Sequence, residues 1–150
     1  MNIEKLTSQF RSALMDAQSI AVGKDHSNLD PLHILLAMLR QKEGTSKQIL
    51  KGSGVDTIAL EKGLEREIEQ LPTSTGAQGE VHVGRETQRL FNIADKEAQK
   101  RNDHYLSSDL FILACLQFDD THAGKLLKSH GCTLDRLSEA ISKARKGRSS

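Results

Sequence analysis

The amino-acid sequence predicts an all-α fold, with eight helices in two tandem four-helix repeats related by a pseudo-two-fold axis. The first observation is an internal repeat: residues 14–68, shifted by 77, align with residues 91–145 without a gap. Gly54, for example, falls on Gly131. The second observation is that apolar residues recur every three or four positions, as in helices with one buried face. A gapless repeat of this length indicates duplication of one helical unit, so differences between the copies need a local explanation.

Repeat one, about residues 4–71, opens with two predicted helices. The first has an apolar face made of Leu6, Phe10, Ala13, Leu14, Ala17 and Ala21. Gly23 can close this helix. Asp30 followed by Pro31 can begin the second helix, because an acidic N-cap and a first-turn proline are both favoured there. This second helix, LHILLAML, is apolar nearly all round, which predicts that it lies at the buried centre of its repeat.

Repeat one is predicted to end with two further helices and a connector. A short helix runs through Ile49, and a longer helix is capped by Asp56 and stopped by Pro72. Residues 72–84 are rich in Gly, Ser and Thr and have no helical period, so we expect them to connect the repeats. The alternation at 81–83 is too short to predict a strand.

Repeat two, about residues 85–145, follows the same plan. Its central helix, LFILACL, is expected to be capped by Ser107 or Ser108, and Thr133 is expected to cap the last helix. Residues 146–150 are polar and resemble the start of a linker. We therefore interpret all 150 residues as a single domain.

Composition excludes several classes of partner. Twenty-one basic and 20 acidic residues give a net charge of +1, so no strong field gathers nucleic acid or anionic lipid. No stretch approaches the roughly 18 apolar residues of a membrane span, and the first residues lack a secretion signal. Cys115 and Cys132 correspond to Met38 and Val55 in the other copy, which predicts small buried residues and a cytoplasmic location rather than a disulfide.

No motif in the sequence predicts catalysis or a metal site. Phosphate loops, dinucleotide fingerprints, HExxH and CxxC are all missing. His26 and His104 fall in matching turns and are interpreted as polar turn residues. The basic run at the end of the last helix is interpreted as a solvated helix end, favoured by the helix dipole; it consists of Lys143, Arg145, Lys146 and Arg148. We expect no enzyme activity and no cofactor in this domain.

The two copies disagree where the central helices begin. Leu32 in the first copy corresponds to Asp109 in the second, and His33 corresponds to Leu110. One hypothesis is a groove at the seam between the repeats that binds extended polypeptide. Its floor would be Ala13, Phe91 and Leu110, and its rim would be Thr7, Asp103 and Asp109. The alternatives are that Asp109 only complements the helix dipole, and that Phe91 and Leu110 are plain core residues.

Several segments resemble the N-terminal domains of the Clp/AAA+ chaperones, and most closely those of the ClpB branch. The clearest are LTSQFRSALMDAQSIAVG, LDPLHILLAMLRQ and ADKEAQKRNDHYLSSDLFILACL, and the resemblance covers about residues 4–147. It implies an eight-helix module joined by a flexible linker to two ATPase modules that lie outside this chain and bind ATP and Mg. It also implies binding of unfolded or aggregated polypeptide segments.

The resemblance implies six site residues: Thr7, Ala13, Phe91, Asp103, Asp109 and Leu110. Asp109 stands where ClpB relatives usually carry Glu, and Phe91 where they often carry Leu. The related ClpC branch uses two equivalent acids to bind phosphoarginine. Here those positions are Leu32 and Asp109, and Leu32 cannot pair with a guanidinium group, so that activity is disfavoured.

Two functions are therefore weighed. The first is a substrate-binding module of a ClpB-type disaggregase, which captures apolar segments for ATP-driven threading by the absent modules. The resemblance then implies a hexamer as the whole assembly, cooperation with the DnaK system, and a monomeric isolated domain. The alternative is an adaptor-docking domain of a protease-associated ATPase, whose partner is a folded protein.

Overall fold

The computed structural model describes residues 2–74 and 80–148, without the side chain of Arg148. The described residues form eight α-helices, a short 3₁₀ helix at Ile3–Lys5, and two strands of two residues each. The helices are α1 (Ser8–Gly23), α2 (Pro31–Arg40), α3 (Ser46–Gly52), α4 (Thr57–Glu69), α5 (Arg85–Lys100), α6 (Ser108–Gln117), α7 (His122–Ser129) and α8 (Leu134–Arg148). The strands are β1 (Asn28–Leu29) and β2 (His82–Val83). The predicted all-α class is confirmed.

The internal repeat is visible in the backbone. α1 and α5 begin and end 77 residues apart, and so do α2 and α6. Positive φ angles recur at the same offset, at 59° for Asp25 and 61° for Asn102, and at 86° for Gly54 and 84° for Gly131. Because a positive φ is costly for most residues, its recurrence at both places indicates that the two copies use the same turns.

Helix starts follow the predicted caps. The Asp30 carboxylate accepts a hydrogen bond of 2.9 Å from the Leu32 backbone N–H at the start of α2. The Asp56 carboxylate accepts two such bonds of 3.1 Å from the first turn of α4. Thr133 accepts one of 3.2 Å from the Arg136 N–H in α8. These side chains satisfy backbone donors that a helix terminus otherwise leaves unpaired.

The interpretation of 72–84 as a connector without a strand was wrong at one point. β2 lies in this segment and pairs in parallel with β1, so that Leu29 faces Val83. An isolated parallel bridge joins Leu6 to Leu106, which is the same pairing after a shift of 77. Each repeat therefore contributes its entry segment to the other repeat, a long-range pairing that local alternation cannot reveal. Residues 75–79 of the connector lie outside the described residues.

The interpretation of residues 146–150 as the start of a linker stays a prediction. α8 continues to Arg148, so residues 146–148 are helical, and residues 149–150 lie outside the described part. After Ile141, which is fully buried, α8 carries mostly polar residues, and Ala144 still packs against the core.

The core is built around α2 and α6, as predicted. Every residue from 31 to 39 in α2 and from 108 to 116 in α6 is buried. Between the repeats, the rings of Phe10, Phe91 and Phe111 form a cluster with centroids 5.2–5.7 Å apart. Tilted rings at this spacing stabilise the fold beyond what the burial of their apolar surface contributes. Phe10 comes from repeat one and the other two from repeat two, so the cluster joins the repeats.

The two cysteines are small buried residues, which confirms that prediction. Cys115 is fully buried, Cys132 is 1% exposed, and both are free thiols. Burial raises the pKa of both thiols, that of Cys132 to about 11. Because the thiolate is the reactive form, neither cysteine is poised as a nucleophile. Across residues 2–74 and 80–148, no helix combines the length and the apolar character needed to cross a membrane.

Candidate functional site at the seam between the repeats

Thr7 lies where the chain enters α1 beside the segment that enters α6. Its hydroxyl accepts a hydrogen bond of 3.2 Å from the Phe10 N–H, which caps α1. Its own N–H donates to the Leu106 carbonyl at 3.0 Å, and the Leu106 N–H donates to the Lys5 carbonyl at 2.7 Å. The equivalent cap of α5 is Gly84, which has no side chain. Of the two N-cap residues, only Thr7 carries a hydroxyl group, and it lies at the seam.

Asp103 and Asp109 are brought together by Arg145 of α8. Arg145 Nη1 donates to both carboxylate oxygens of Asp103, at 2.9 and 3.1 Å. Nη2 and Nε of the same guanidinium group reach the two oxygens of Asp109, each at 3.4 Å. Asp109 is only 5% exposed. The two predicted rim acids therefore share one cation, and their role in binding stays a prediction.

Ser107 completes this acidic cluster. Its hydroxyl donates to Asp109 Oδ1 and accepts a bond of 3.2 Å from Arg145 Nη2. Ser107 occupies the N-cap position of α6, as predicted, but its side chain accepts no hydrogen bond from the helix backbone. The Ser107 oxygen accepts from Arg145 and its proton goes to the Asp109 carboxylate, so this side chain belongs to the acidic cluster rather than to the helix cap. Asp109 lies in the first turn of α6, where the helix dipole also favours it.

The interpretation of Arg145 as part of a solvated helix end was wrong. Its side chain is 30% exposed and forms ion pairs with two carboxylates. Burial alone would lower the pKa of its guanidinium group, but Asp109 and Asp103 outweigh this and raise the pKa. The sequence carried a signal for this position: Arg145 follows Ile141 by four residues and Leu137 by eight. A helix places these three side chains on one face.

The predicted floor residues are brought into the core and do not line an open groove. Ala13 and Leu110 are 0% exposed and Phe91 is 2% exposed. Ala13 follows Phe10 by one turn of α1, and Leu110 precedes Phe111 in α6, so all three belong to the core around the phenylalanine cluster. These three residues are therefore largely enclosed by the core, and their role in binding stays a prediction.

A small cavity nevertheless opens at the seam. Its volume is about 160 Å³, and its lining residues are Asn2, Lys5, Leu6, Phe91, Asn92, Asp95 and Leu106. Phe91 is the one predicted floor residue that borders it. The Leu6–Leu106 bridge lies in its wall. This seam cavity connects the surface to the edge of the aromatic cluster.

His26 and His33 form a buried pair that sequence reasoning missed. His26 lies in the turn that follows α1, as interpreted from the sequence, but it is only 3% exposed. Its Nδ1 lies 2.9 Å from Nε2 of His33, and the Asp30 N–H donates to Nδ1 of His33 at 3.0 Å. His33 therefore completes the capping box of α2. Burial, followed by the effect of His26, lowers the pKa of His33 to about 4.

This pair does not make a metal centre. Among the described residues, no group of three or more His, Cys, Asp or Glu side chains could hold a metal ion. His33 uses both ring nitrogens, one toward Asp30 and one toward His26. We therefore interpret the pair as part of the structure of α2.

The sequence model of one protein family, described as the Clp repeat (R) N-terminal domain, matches residues 5–130. Among curated proteins, the chain is 40% identical over 147 residues to the chaperone protein ClpB of Pseudomonas putida. It is 39% identical over 147 residues to ClpB of Vibrio cholerae. Each match covers 98% of this chain but 17% of the relative, so the chain spans about a sixth of their length.

Solved structures share this fold at lower identity. The Hsp104 N-terminal domain of Candida albicans has a TM-score of 0.81 at 20% identity, covering 94% of this chain and 91% of that one. The N-domain of ClpV from Vibrio cholerae has a TM-score of 0.80 at 19% identity, covering 94% and 85%. The fold and the match together define an N-terminal module of the Clp repeat type. The chain belongs to the Clp repeat N-terminal domain family, and its curated relatives named above are ClpB chaperones.

Proposed function

We propose that this chain is the substrate-binding N-terminal module of a ClpB-type disaggregase, and that it captures exposed apolar segments of unfolded or aggregated proteins. The observation that carries the proposal is the seam cavity of about 160 Å³, which reaches Phe91 at the edge of the aromatic cluster. The similarity to ClpB over nearly the whole chain supports it. ATP and Mg would act in modules beyond this chain, within a cytoplasmic hexamer that cooperates with the DnaK system.

Binding at the seam requires the entry segment to move. Asn2, Lys5 and Leu6 border the cavity, and the segment pairs with repeat two at the Leu6–Leu106 bridge. Two backbone hydrogen bonds, one from Thr7 and one from Leu106, hold this bridge, and each contributes about 1 kcal/mol net. Leu6 is itself 2% exposed, so its displacement also costs roughly 2 kcal/mol of apolar burial, which an apolar client side chain regains by taking the place of Leu6 beside Phe91. Part of the binding energy is lost in this displacement, so the affinity is weak.

Apolar contact, rather than charge, then contributes most to the binding of a client segment. Asp103 and Asp109 share one cation, Arg145, so the cluster keeps a net charge of −1. A lysine or arginine of a client would have to compete with a guanidinium group that already makes several hydrogen bonds to both carboxylates. The acidic cluster therefore fixes the start of α6 at the rim, and we expect apolar side chains rather than charges to supply most of the affinity.

The test is an NMR titration with a neutral peptide, acetyl-Leu-Ser-Leu-Phe-Ser-Leu-amide, and a control peptide in which Ser replaces each Leu and Phe. We expect saturable amide shifts at Leu6, Phe91 and Leu106 with the apolar peptide only. Asn92 is exposed at the mouth of the cavity, so Asn92→Glu should weaken binding by about fivefold, since an apolar group must then approach a charge.

Met15 supplies a matched control. It is the counterpart of Asn92 in repeat one, since 15 plus 77 is 92, and it is 67% exposed on α1. Met15→Glu should leave the affinity unchanged. The proposal fails if the shifts cluster away from the seam, if both peptides bind alike, or if Asn92→Glu binds as the unmodified chain does.

A further inference from the structure

A second and larger groove lies between α3 and α8. Its volume is about 730 Å³. Its lining residues are Thr45, Gln48, Ile49, Gly52, Ser53, Gly54, Arg136, Glu139, Ala140, Lys143 and Ala144. None of them lines the seam cavity. This α3–α8 groove is therefore a surface separate from the seam.

The pseudo-two-fold axis supplies a reference for this groove, because α4 and α7 form the equivalent contact. There the space is filled: a Cβ added to Gly63 would lie 3.2 Å from His130 Nε2 and 3.3 Å from Leu126 Cδ1. After the shift of 77, His130 corresponds to Ser53 and Leu126 to Ile49. The α3–α8 groove thus has Ser53 in place of the imidazole ring that packs at Gly63, and Ala140 in place of Gly63.

The floor of the groove is apolar and already ordered. Ile49 and Ala140 are 3% and 9% exposed, and a Cβ added to Gly52 would lie 3.5 Å from the Ala140 Cβ, so the helices touch there. The Ser53 hydroxyl donates to the Ile49 carbonyl at 2.9 Å, which leaves it satisfied within α3. A ligand group placed over this floor would meet carbon atoms rather than an unpaired polar atom.

The rim carries a net positive charge. Lys143 pairs with Glu139 at 3.3 Å, so these two largely cancel. Arg136 forms no ion pair with any described residue, and its side chain lies at Gly54, where an added Cβ would be 3.0 Å from Nη1. The positive φ of Gly54 and its missing side chain leave room for the guanidinium group at the edge of the groove. Arg136 can therefore meet an incoming carboxylate with two N–H donors.

We propose that the α3–α8 groove binds a short segment of a partner polypeptide in which an apolar or aromatic side chain lies next to an acidic residue. The apolar side chain takes the place that His130 occupies in the counterpart groove. The acidic side chain pairs with Arg136. This is a docking surface distinct from the seam, and it does not depend on the proposed capture of unfolded protein.

The test compares two peptides, acetyl-Asp-Leu-Phe-Asp-amide and the charge-reversed acetyl-Lys-Leu-Phe-Lys-amide, by amide shifts in the isolated chain. We expect saturable shifts at Ile49, Gly54 and Ala140 with the acidic peptide, and at least about fivefold weaker binding of the basic one. Arg136→Gln should weaken binding of the acidic peptide by about three- to tenfold and remove the preference for the acidic over the basic peptide. Ser53→His, which restores the residue of the other repeat, should abolish binding.

Arg66→Gln is the matched control, because Arg66 is exposed on α4 at the position equivalent to Lys143. It should bind the acidic peptide as the unmodified chain does. If Ser53→His does not fold, Arg136→Gln still decides the question, since Arg136 is exposed and outside the core. Equal binding of both peptides, no effect of Arg136→Gln, absence of saturation, or shifts at the seam would each overturn the proposal.

Discussion

His33 combines two roles in one side chain. Nδ1 accepts the Asp30 N–H at the start of α2, so the neutral ring carries its proton on Nε2 and donates it to His26. Both rings are buried, at 0% exposure for His33 and 3% for His26. A protonated His33 would lose its acceptor nitrogen and place a charge in the core. The start of α2 therefore requires a neutral imidazole.

This arrangement predicts a loss of stability in mild acid. The pKa of His33 is lowered to about 4 in the folded chain and lies near 6.5 in the unfolded chain. Above pH 6.5 His33 is neutral in both the folded and the unfolded chain, and its contribution to the free energy of unfolding is complete. As the pH falls from 6.5 toward 4, only the unfolded state binds the proton, so the free energy of unfolding decreases. Full loss would amount to about 3 kcal/mol.

Urea unfolding between pH 7.5 and 5 checks this expectation against His33→Gln. Residue 33 is the third residue of α2, where glutamine can still accept the hydrogen bond from the Asp30 N–H but does not titrate. The free energy of unfolding of His33→Gln should therefore change less with pH. Burial raises the pKa of the Asp30 carboxyl, which affects the pH dependence with the opposite sign, and Asp30 is present in both proteins compared. His104→Gln, which removes an exposed imidazole, should keep the original slope. Equal slopes for His33→Gln and the unmodified chain would contradict the assignment.

At the scale of elements, α8 packs against both α3 and α6. Leu137 and Ile141 are 0% exposed in the core, and Ala140 packs at Gly52 of α3. Arg145, one turn after Ile141, crosses to the start of α6 and joins its acids. Asp103 lies in the turn between α5 and α6, and Asp109 lies in the first turn of α6. The Arg145 ion pairs therefore hold α8 against the start of α6 within repeat two.

Removing this cation should therefore destabilise the domain. Arg145→Met retains most of the aliphatic stem but leaves Asp109, which is 5% exposed, and Asp103 without their shared partner. We expect the free energy of unfolding to fall by about 2 kcal/mol, less than for a fully buried pair because the guanidinium group is partly solvated. Urea denaturation at pH 7 measures the change.

Lys143→Met is the matched control on the same helix. Lys143 pairs with Glu139, but both side chains are mostly exposed, at 77% and 68%, so the substitution should have little effect. The interpretation of the acidic cluster as a structural element would be wrong if the two variants were equally stable.

At the scale of the whole molecule, the two repeats are interlocked. β1 of repeat one pairs with β2, which precedes repeat two, and Leu6 before α1 pairs with Leu106 before α6. The phenylalanine cluster takes one ring from repeat one and two from repeat two. Although the sequence repeats, the structure shares one core between its halves.

We therefore expect neither half to fold alone. A fragment of residues 1–74 would expose Phe10 and the faces of α1 and α2 that contact repeat two, and each large apolar side chain exposed costs roughly 2–3 kcal/mol. Circular dichroism of this fragment and of residues 80–150 should show no cooperative thermal transition. The full chain should unfold in a single transition. A sharp transition in either fragment would contradict the shared core.

Much of this fold was predictable because its signals are local. Capping side chains such as Asp30 and Asp56 act within three residues, and apolar spacing reports a helix face within two turns. The 77-residue shift then predicted the second half from the first. Even Arg145 could have been recognised, since its spacing from Ile141 places it on the buried face of α8.

The sequence by itself therefore determined the class, the repeat, the helices and the family resemblance. Only the tertiary structure decided that Ala13, Phe91 and Leu110 are enclosed, that His26 meets His33, and that one groove is filled while its counterpart is open. Helix caps and periods depend on neighbours along the chain. Enclosure and pairing depend on which distant segments the packed helices bring together, as when residue 6 meets residue 106.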